Sequence, residues 1–375
     1  VSEYQYYEFQ AVDRPLDEMD RQALRAISTR ARITATSFTN SYEWGDLKSD
    51  PADFMKRWFD LHLYLANWGT RRLMIRLPKR LVDQRFLKPL LLGIDWATLQ
   101  AAGDALILDI ARDEVELDED WDDGSGWLAG LAPLRADLLA GDFRLFYLLW
   151  LGAIESEELG DDEIEPMPGF GPLTGALGAF AEFFGIDPHL VQAAGDRPMD
   201  MKATSPAARE VIEAITESEK TDLLTRLFDG DLHTAAELRA LVRKRLGEHH
   251  ARLPNGTRTA GELRSRARAI RLARDHANAE KAAADRRRQA EEAEKARLAR
   301  IDAVARRGAS VWQEVETEIE RRNAPGYDKA ATLLVDLRDV AETQGTVTEF
   351  DRRLHEIRER HARKGRFIER LATLP

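Results

Sequence analysis

Two tryptophans, Trp44 and Trp68, stand beside turn residues, and Arg71, Arg72, Arg76, Lys79 and Arg80 follow closely behind the second. Tyr42 and Asn67 belong to the same concentration. Large aromatic side chains at strand ends with guanidinium groups alongside suit stacking on a nucleobase or seating a peptide, because a flat ring buries apolar area while the charged edge stays in water. The same residues also have a structural explanation, in which the tryptophans cap a sheet edge and the arginines lie on its outer face, answered by acids. Trp44, Trp68, Arg71, Arg72 and Arg76 are the candidate binding residues on the first of these readings.

Catalytic chemistry finds less to work with. No GxxxxGK[ST] is present, and PGFGPLTGALG lacks both the GxGxxG spacing and the lysine of a phosphate cradle. None of the 8 histidines falls in HExxH, and the adjacent His249 and His250 would point about 100° apart on a helix. VELDEDWDDGSG alternates Asp118, Asp120 and Asp122 as a calcium loop does, but Asp123 occupies the position that needs glycine and the twelfth-place glutamate is missing. GxSxG is absent, and with no cysteine there is no thiolate nucleophile, disulfide or thiolate metal site. The sequence therefore assigns no catalytic residue, no metal ligand and no cofactor.

Charge is distributed unevenly. Residues 1–235 carry 23 Lys/Arg against 43 Asp/Glu, whereas 236–310 carry 20 against 10. The basic segment opens with Arg264, Arg266, Arg268, Arg271 and Arg274, and Arg264, Arg268, Arg271 and Arg274 are the candidate phosphate contacts if 236–310 meets nucleic acid. Glu291, Glu292 and Glu294 follow, so the same stretch also reads as an exposed helix kept soluble by i,i+4 pairs.

The elements that would position these residues make an α+β chain. Residues 1–125 read as a mixed sheet with helices on one face: strands at Tyr7 to Ala11, ARITATSF, LHLYLAN, RRLMIRL and ALILDIA, helices after Pro15 and Pro51, and a hairpin turn from Asn67 to Thr70. Residues 126–200 form an all-helical layer with Leu128, Leu131, Leu134 and Leu138 in one stripe, and 206–258 hold short helices. From 260 to 323 there is no proline, and Ala, Arg, Glu and Lys dominate, the composition of a long helix or coiled-coil arm through which the chain could self-associate. Its middle offers only alanines to a seam.

Residues 324–375 read as a helical hairpin turning at Gly345, with Tyr327, Leu334 and Leu337 on one apolar face and Phe350, Leu354 and Ile357 on the next. Tyr327, Leu334, Phe350 and Ile357 are the candidate docking residues. Through Tyr327, Asp328, Ala330, Leu334, Leu337, Gly345, Phe350, Leu354, Arg358, His361, Lys364 and Leu371 this stretch resembles the C-terminal tail of bacterial SWIM zinc-finger proteins, without their zinc motif. The resemblance implies an accessory helical unit and makes a SWIM zinc-finger protein a candidate partner. YQYYEFQAVDRPL, TSFTNSYEWGDL and YLANWGTRRLMIRLP also resemble segments of bacterial proteins of no assigned activity. VSEYQYYEFQ lacks a basic stretch followed by an apolar one, and the longest apolar run falls short of a membrane span, so a cytoplasmic, membrane-free protein is expected. The expected function is a non-enzymatic interaction or scaffold protein. A nucleic-acid-binding accessory protein using the basic arm, and an enzyme with a site between the sheet and helical layers, stay open as alternatives.

Overall fold

The computed structural model describes residues 3–115, 122–196, 206–231, 233–245 and 256–373. The acidic stretch around Asp118 and Asp120, and His249 and His250, lie outside them. The described chain divides into two compact units, residues 1–273 and 274–375.

In the first unit, alternating side chains build a seven-stranded sheet in the order β2-β3-β1-β4-β5-β7-β6, with β1 Gln5–Gln10, β2 Arg32–Ile33, β3 Ser37–Tyr42, β4 Leu61–Ala66, β5 Arg71–Pro78, β6 Ala97–Ala102 and β7 Ala105–Arg112. Every pairing is antiparallel, where a mixed sheet was expected. The reason lies in ARITATSF, which is two strands rather than one. The Thr34 amide donates to the Ser37 carbonyl (2.9 Å), the chain reverses, and β3 returns antiparallel to β1. Strand β6 escapes a sequence search because its inward positions Ala97 and Leu99 alternate with polar residues only briefly, and alanine gives a weak signal.

Both faces of the sheet are covered, not one. Leu61, Leu63, Leu65, Leu73, Ile75 and Leu77 point to one side as their alternation predicts. There they meet α4 (Trp127–Leu131), α5 (Pro133–Ala140), α6 (Arg144–Glu155), α7 (Gly175–Phe183) and α8 (Pro188–Gly195). Helix α6 is buried all round from Arg144 to Ile154, which explains its near-continuous apolar sequence. On the other side Tyr7, Phe9, Phe38 and Met74 pack with α1 (Glu18–Ile27) and α2 (Pro51–Arg57). Asp17 and Asp50 cap these two helices by accepting from Asp20 N and Ala52 N. His62 and Tyr64 disguise this second buried face as a polar one.

The unit also contains α3 (Gln84–Leu87), α9 (Pro206–Glu213), α10 (Glu217–Phe228), α11 (Thr234–Arg245) and the start of α12 (Ala260–Arg307). The long helix expected to reach 323 ends at Arg307, because Gly308 takes φ +54° and restarts the chain as α13 (Ala309–Glu320). In the second unit α12 residues Ile301 and Val304 pack with α13, α14 (Ala324–Gln344), α15 (Val347–Arg360) and α16 (Gly365–Arg370) around a separate core. Among the described residues no helix is long and apolar enough to cross a membrane.

Candidate functional site

Strand β1 places both tryptophans. Gln5 at its start lies opposite Tyr42 of β3 and Ala66 of β4, so the loops after Tyr42 and after Ala66 leave the same end of the sheet on either side of β1. Trp44 on the first loop is 77% exposed and Trp68 on the second 48%.

Neither loop is slack. The Gln5 side-chain amide donates to the Gly45 carbonyl (2.9 Å), and the Tyr64 hydroxyl donates to Gln5 Oε1 (2.9 Å). The Tyr7 hydroxyl donates to Asp46 Oδ1 (2.5 Å), which also accepts from Leu47 N (2.7 Å). Burial, together with the hydrogen bond to Asp46, pushes the Tyr7 hydroxyl well above its ordinary pKa, and burial pushes Tyr64 up to about 12. Both stay protonated and keep donating across the physiological range. The tyrosine rings pack together, with Tyr7 tilted against Tyr64 at 4.7 Å and edge-on to Tyr42 at 5.7 Å.

On the second loop Asn67 exchanges bonds with Tyr4, and the Trp68 indole donates to Thr70 Oγ1 (3.0 Å), whose hydroxyl donates to Asp113 (2.7 Å). Gly69 carries φ +95°, and a Cβ there would lie 2.9 Å from the Val115 carbonyl oxygen. Two large, exposed aromatic rings are thus held on rigid loops at one sheet end, an arrangement that loses little conformational entropy when a partner covers it. Gln5, Asp46 and Gly69, which create that rigidity, were not singled out from sequence; the positive-φ glycine in the Asn67 to Thr70 hairpin is the one signal that pointed toward them.

The candidate arginines do not join the tryptophans. Arg71 turns to the α4 to α8 side, where it is buried over the Phe183 ring (5.5 Å) and donates to the Ala66 carbonyl. Arg72 points to the opposite face and holds Asp109 with two bonds of 2.8 and 2.7 Å. Arg76 faces Asp60 and Asp104. The odd and even positions of one strand divide these bases between two faces, so the expected aromatic and arginine surface is corrected to an aromatic one.

The other candidate sets are also redistributed. Tyr327, Leu334, Phe350 and Ile357 are all buried in the second unit's own core, so they are packing residues and not an open docking edge. Arg264 donates to the Ile154 and Leu159 carbonyls and pairs with Asp161, and Arg271 pairs with Asp187. Arg268 and Arg274 are exposed. Two of the four candidate phosphate contacts, Arg264 and Arg271, are therefore engaged within the protein, because the first helical turns of α12 spend these arginines on fixing the helix to the chain around α6 and α8.

Two sets of buried ionisable groups are tied to one another. Asp60 accepts from the Val12 and Asp13 amides (2.7 and 2.9 Å), while Asp13 pairs with Arg135 (2.6 Å) and lies 3.1 Å from His233 Nε2. Glu165 is gripped by Arg258 and Tyr147. Among the described residues no group of three or more His, Asp or Glu is placed to hold a metal ion. No family model matches the chain, and neither a curated protein nor a solved structure matches it.

Proposed function

We propose that the chain is an interaction protein whose sheet domain binds a protein partner through Trp44 and Trp68. The observation that carries this reading is the pairing of strong exposure with local support: two tryptophans stand out at one sheet end on loops held by side-chain hydrogen bonds. Exposed tryptophans are favoured anchors of protein interfaces, and truncating an anchor typically costs about 2 kcal/mol or more. The likeness of residues 324–375 to the SWIM-protein tail makes a SWIM zinc-finger protein the first partner to try. Any docking by that unit rests on its outward side chains, since its apolar stripes fill its core.

The test is binding of the purified chain to a candidate SWIM zinc-finger protein, comparing wild type with the Trp44→Ala/Trp68→Ala double variant. Affinity should fall by about thirtyfold or more, the equivalent of roughly 2 kcal/mol. Equal affinity of the two chains overturns the tryptophan face. Binding that disappears with nuclease treatment, and with Arg268→Ala/Arg274→Ala, instead assigns the interaction to nucleic acid on the arm.

A further inference from the structure

A cleft of about 690 Å³ opens at the other end of β5, where the chain after Pro78 and helix α3 meet α5 and α11. That volume lies within the range of small-molecule sites, roughly 300 to 1,000 Å³. Its floor is apolar. Leu81, Val82 and Leu138 are buried there, and the half-buried rings of Phe86 and Phe143 stand 4.9 Å apart.

Its rim is cationic, with Lys79, Arg80, Arg85 and Lys244 among the lining residues. The two acids that share the lining are occupied. Asp83 caps α3 by accepting from Arg85 N (2.9 Å) and pairs with the Arg85 guanidinium, while Glu237 pairs with Arg80 and with Arg226. Among the described residues Lys79 Nζ donates to a neutral group, the Gly103 carbonyl, and neither Lys79 nor Lys244 has a carboxylate partner. Among the described residues, then, no carboxylate answers these two ammonium charges beside the apolar hollow. This happens in a unit whose sequence through residue 235 is strongly acidic, with 43 Asp/Glu to 23 Lys/Arg, so the local excess of positive charge runs against its surroundings.

We propose that this cleft binds a small amphiphilic anion, with its apolar body against Phe86 and Phe143 and its carboxylate or phosphate head met by Lys79 and Lys244. The apolar body gains from leaving water, and the head group meets two ammonium groups that no carboxylate among the described residues pairs. The site is separate from the tryptophan face and does not depend on it.

Titration calorimetry of the whole chain with dodecanoate below its micelle concentration tests the proposal. Dodecyltrimethylammonium serves as the same tail with the opposite charge, and phosphatidylglycerol vesicles as the anionic head group in a membrane. Dodecanoate should bind, the cationic surfactant should not, and Lys79→Gln/Lys244→Gln should weaken dodecanoate about tenfold while Lys79→Arg/Lys244→Arg restores it. Both lysines are exposed, so the variants should keep the wild-type melting temperature. The proposal is overturned by no binding of dodecanoate, by equal affinity of wild type and the glutamine variant, by equal binding of the cationic surfactant, or by binding to vesicles alone.

Discussion

Removing the Arg258 guanidinium should destabilise the first unit strongly at neutral pH and much less in mild acid. Glu165 is buried between α6 and the start of α12, with its side chain fully covered. It accepts from Arg258 Nε and Nη2 (3.0 and 2.8 Å), from the Thr257 and Arg258 amides (3.1 Å each) and from the Tyr147 hydroxyl. Arg258 also donates to the Ala193 and Ala194 carbonyls at the end of α8. Burial alone would raise the Glu165 pKa, but the hydrogen bonds from Arg258 and Tyr147 outweigh it and hold the carboxyl below its ordinary value of 4.5. In Arg258→Met the carboxylate keeps the Tyr147 hydroxyl and the two backbone amides but loses its cationic partner, and removing one partner of a buried pair costs about 3 to 5 kcal/mol. Protonation offers an escape. Neutralising a group of pKa 4.5 at pH 7 costs about 3.4 kcal/mol, and at pH 5 about 0.7 kcal/mol. The expected loss is therefore about 3 kcal/mol at pH 7 and about 1 kcal/mol at pH 5, measured by urea unfolding with amide exchange across 257–267 as the local readout. In wild type the dependence has the opposite direction: the ion pair's contribution is complete above pH 4.5 and is lost as pH falls through the lower folded value. Glu165→Met/Arg258→Met, which removes both charges, should recover most of the loss. A single variant within about 1 kcal/mol of wild type at pH 7, or a penalty that does not shrink at pH 5, refutes this reasoning.

Other consequences are equally measurable. His62 is buried in a stack with Phe9 (4.0 Å), and burial holds its pKa down to about 3, so the unfolded chain takes up a proton near 6.5 that the native state refuses. Stability should be complete above pH 6.5 and fall by about 1.4 kcal/mol per pH unit below it, a slope that His62→Phe should flatten in urea midpoints taken at pH 7 and 5. Gly69→Ala should cost about 1 to 3 kcal/mol, because it strains a positive-φ turn against the Val115 carbonyl, and thermal melting would show it. Leu334→Ala should cost about 2 to 5 kcal/mol; exchange should locate the loss in residues 274–375 and leave β1 to β7 protected. A merely surface role for Leu334 would leave exchange unchanged.

Much of the architecture is written in alternation and helical spacing. Leu61 to Leu77 announce β4, β5 and the buried side of their hairpin, and Asp50 before Pro51 announces α2. What is hidden follows from chemistry that periodicity does not encode. The second covered face carries Tyr64, Arg72 and Asp109, which bond to partners within the sheet, and His62, whose Nδ1 meets the Glu8 carbonyl, so residue type misreports the environment. Gly308 ends α12 through a backbone angle in a stretch whose composition favours helix throughout. At the candidate site, Trp44 and Trp68 were visible as residue types. Their convergence at one sheet end depends on the β3-β1-β4 order, which no local pattern specifies. The arginines beside them were legible as charges, but the alternation of β5 sends Arg71 and Arg72 to opposite faces.

The most direct measurement places the photocrosslinker p-benzoyl-phenylalanine at position 44 of the whole chain and irradiates it with the SWIM zinc-finger protein proposed as its partner, alongside a control probe at the exposed Met19 on α1. A tryptophan face that binds a protein predicts a discrete adduct from position 44, lost when Trp68→Ala is added and absent from position 19. No adduct, an adduct indifferent to Trp68, or equal labelling from both positions contradicts it.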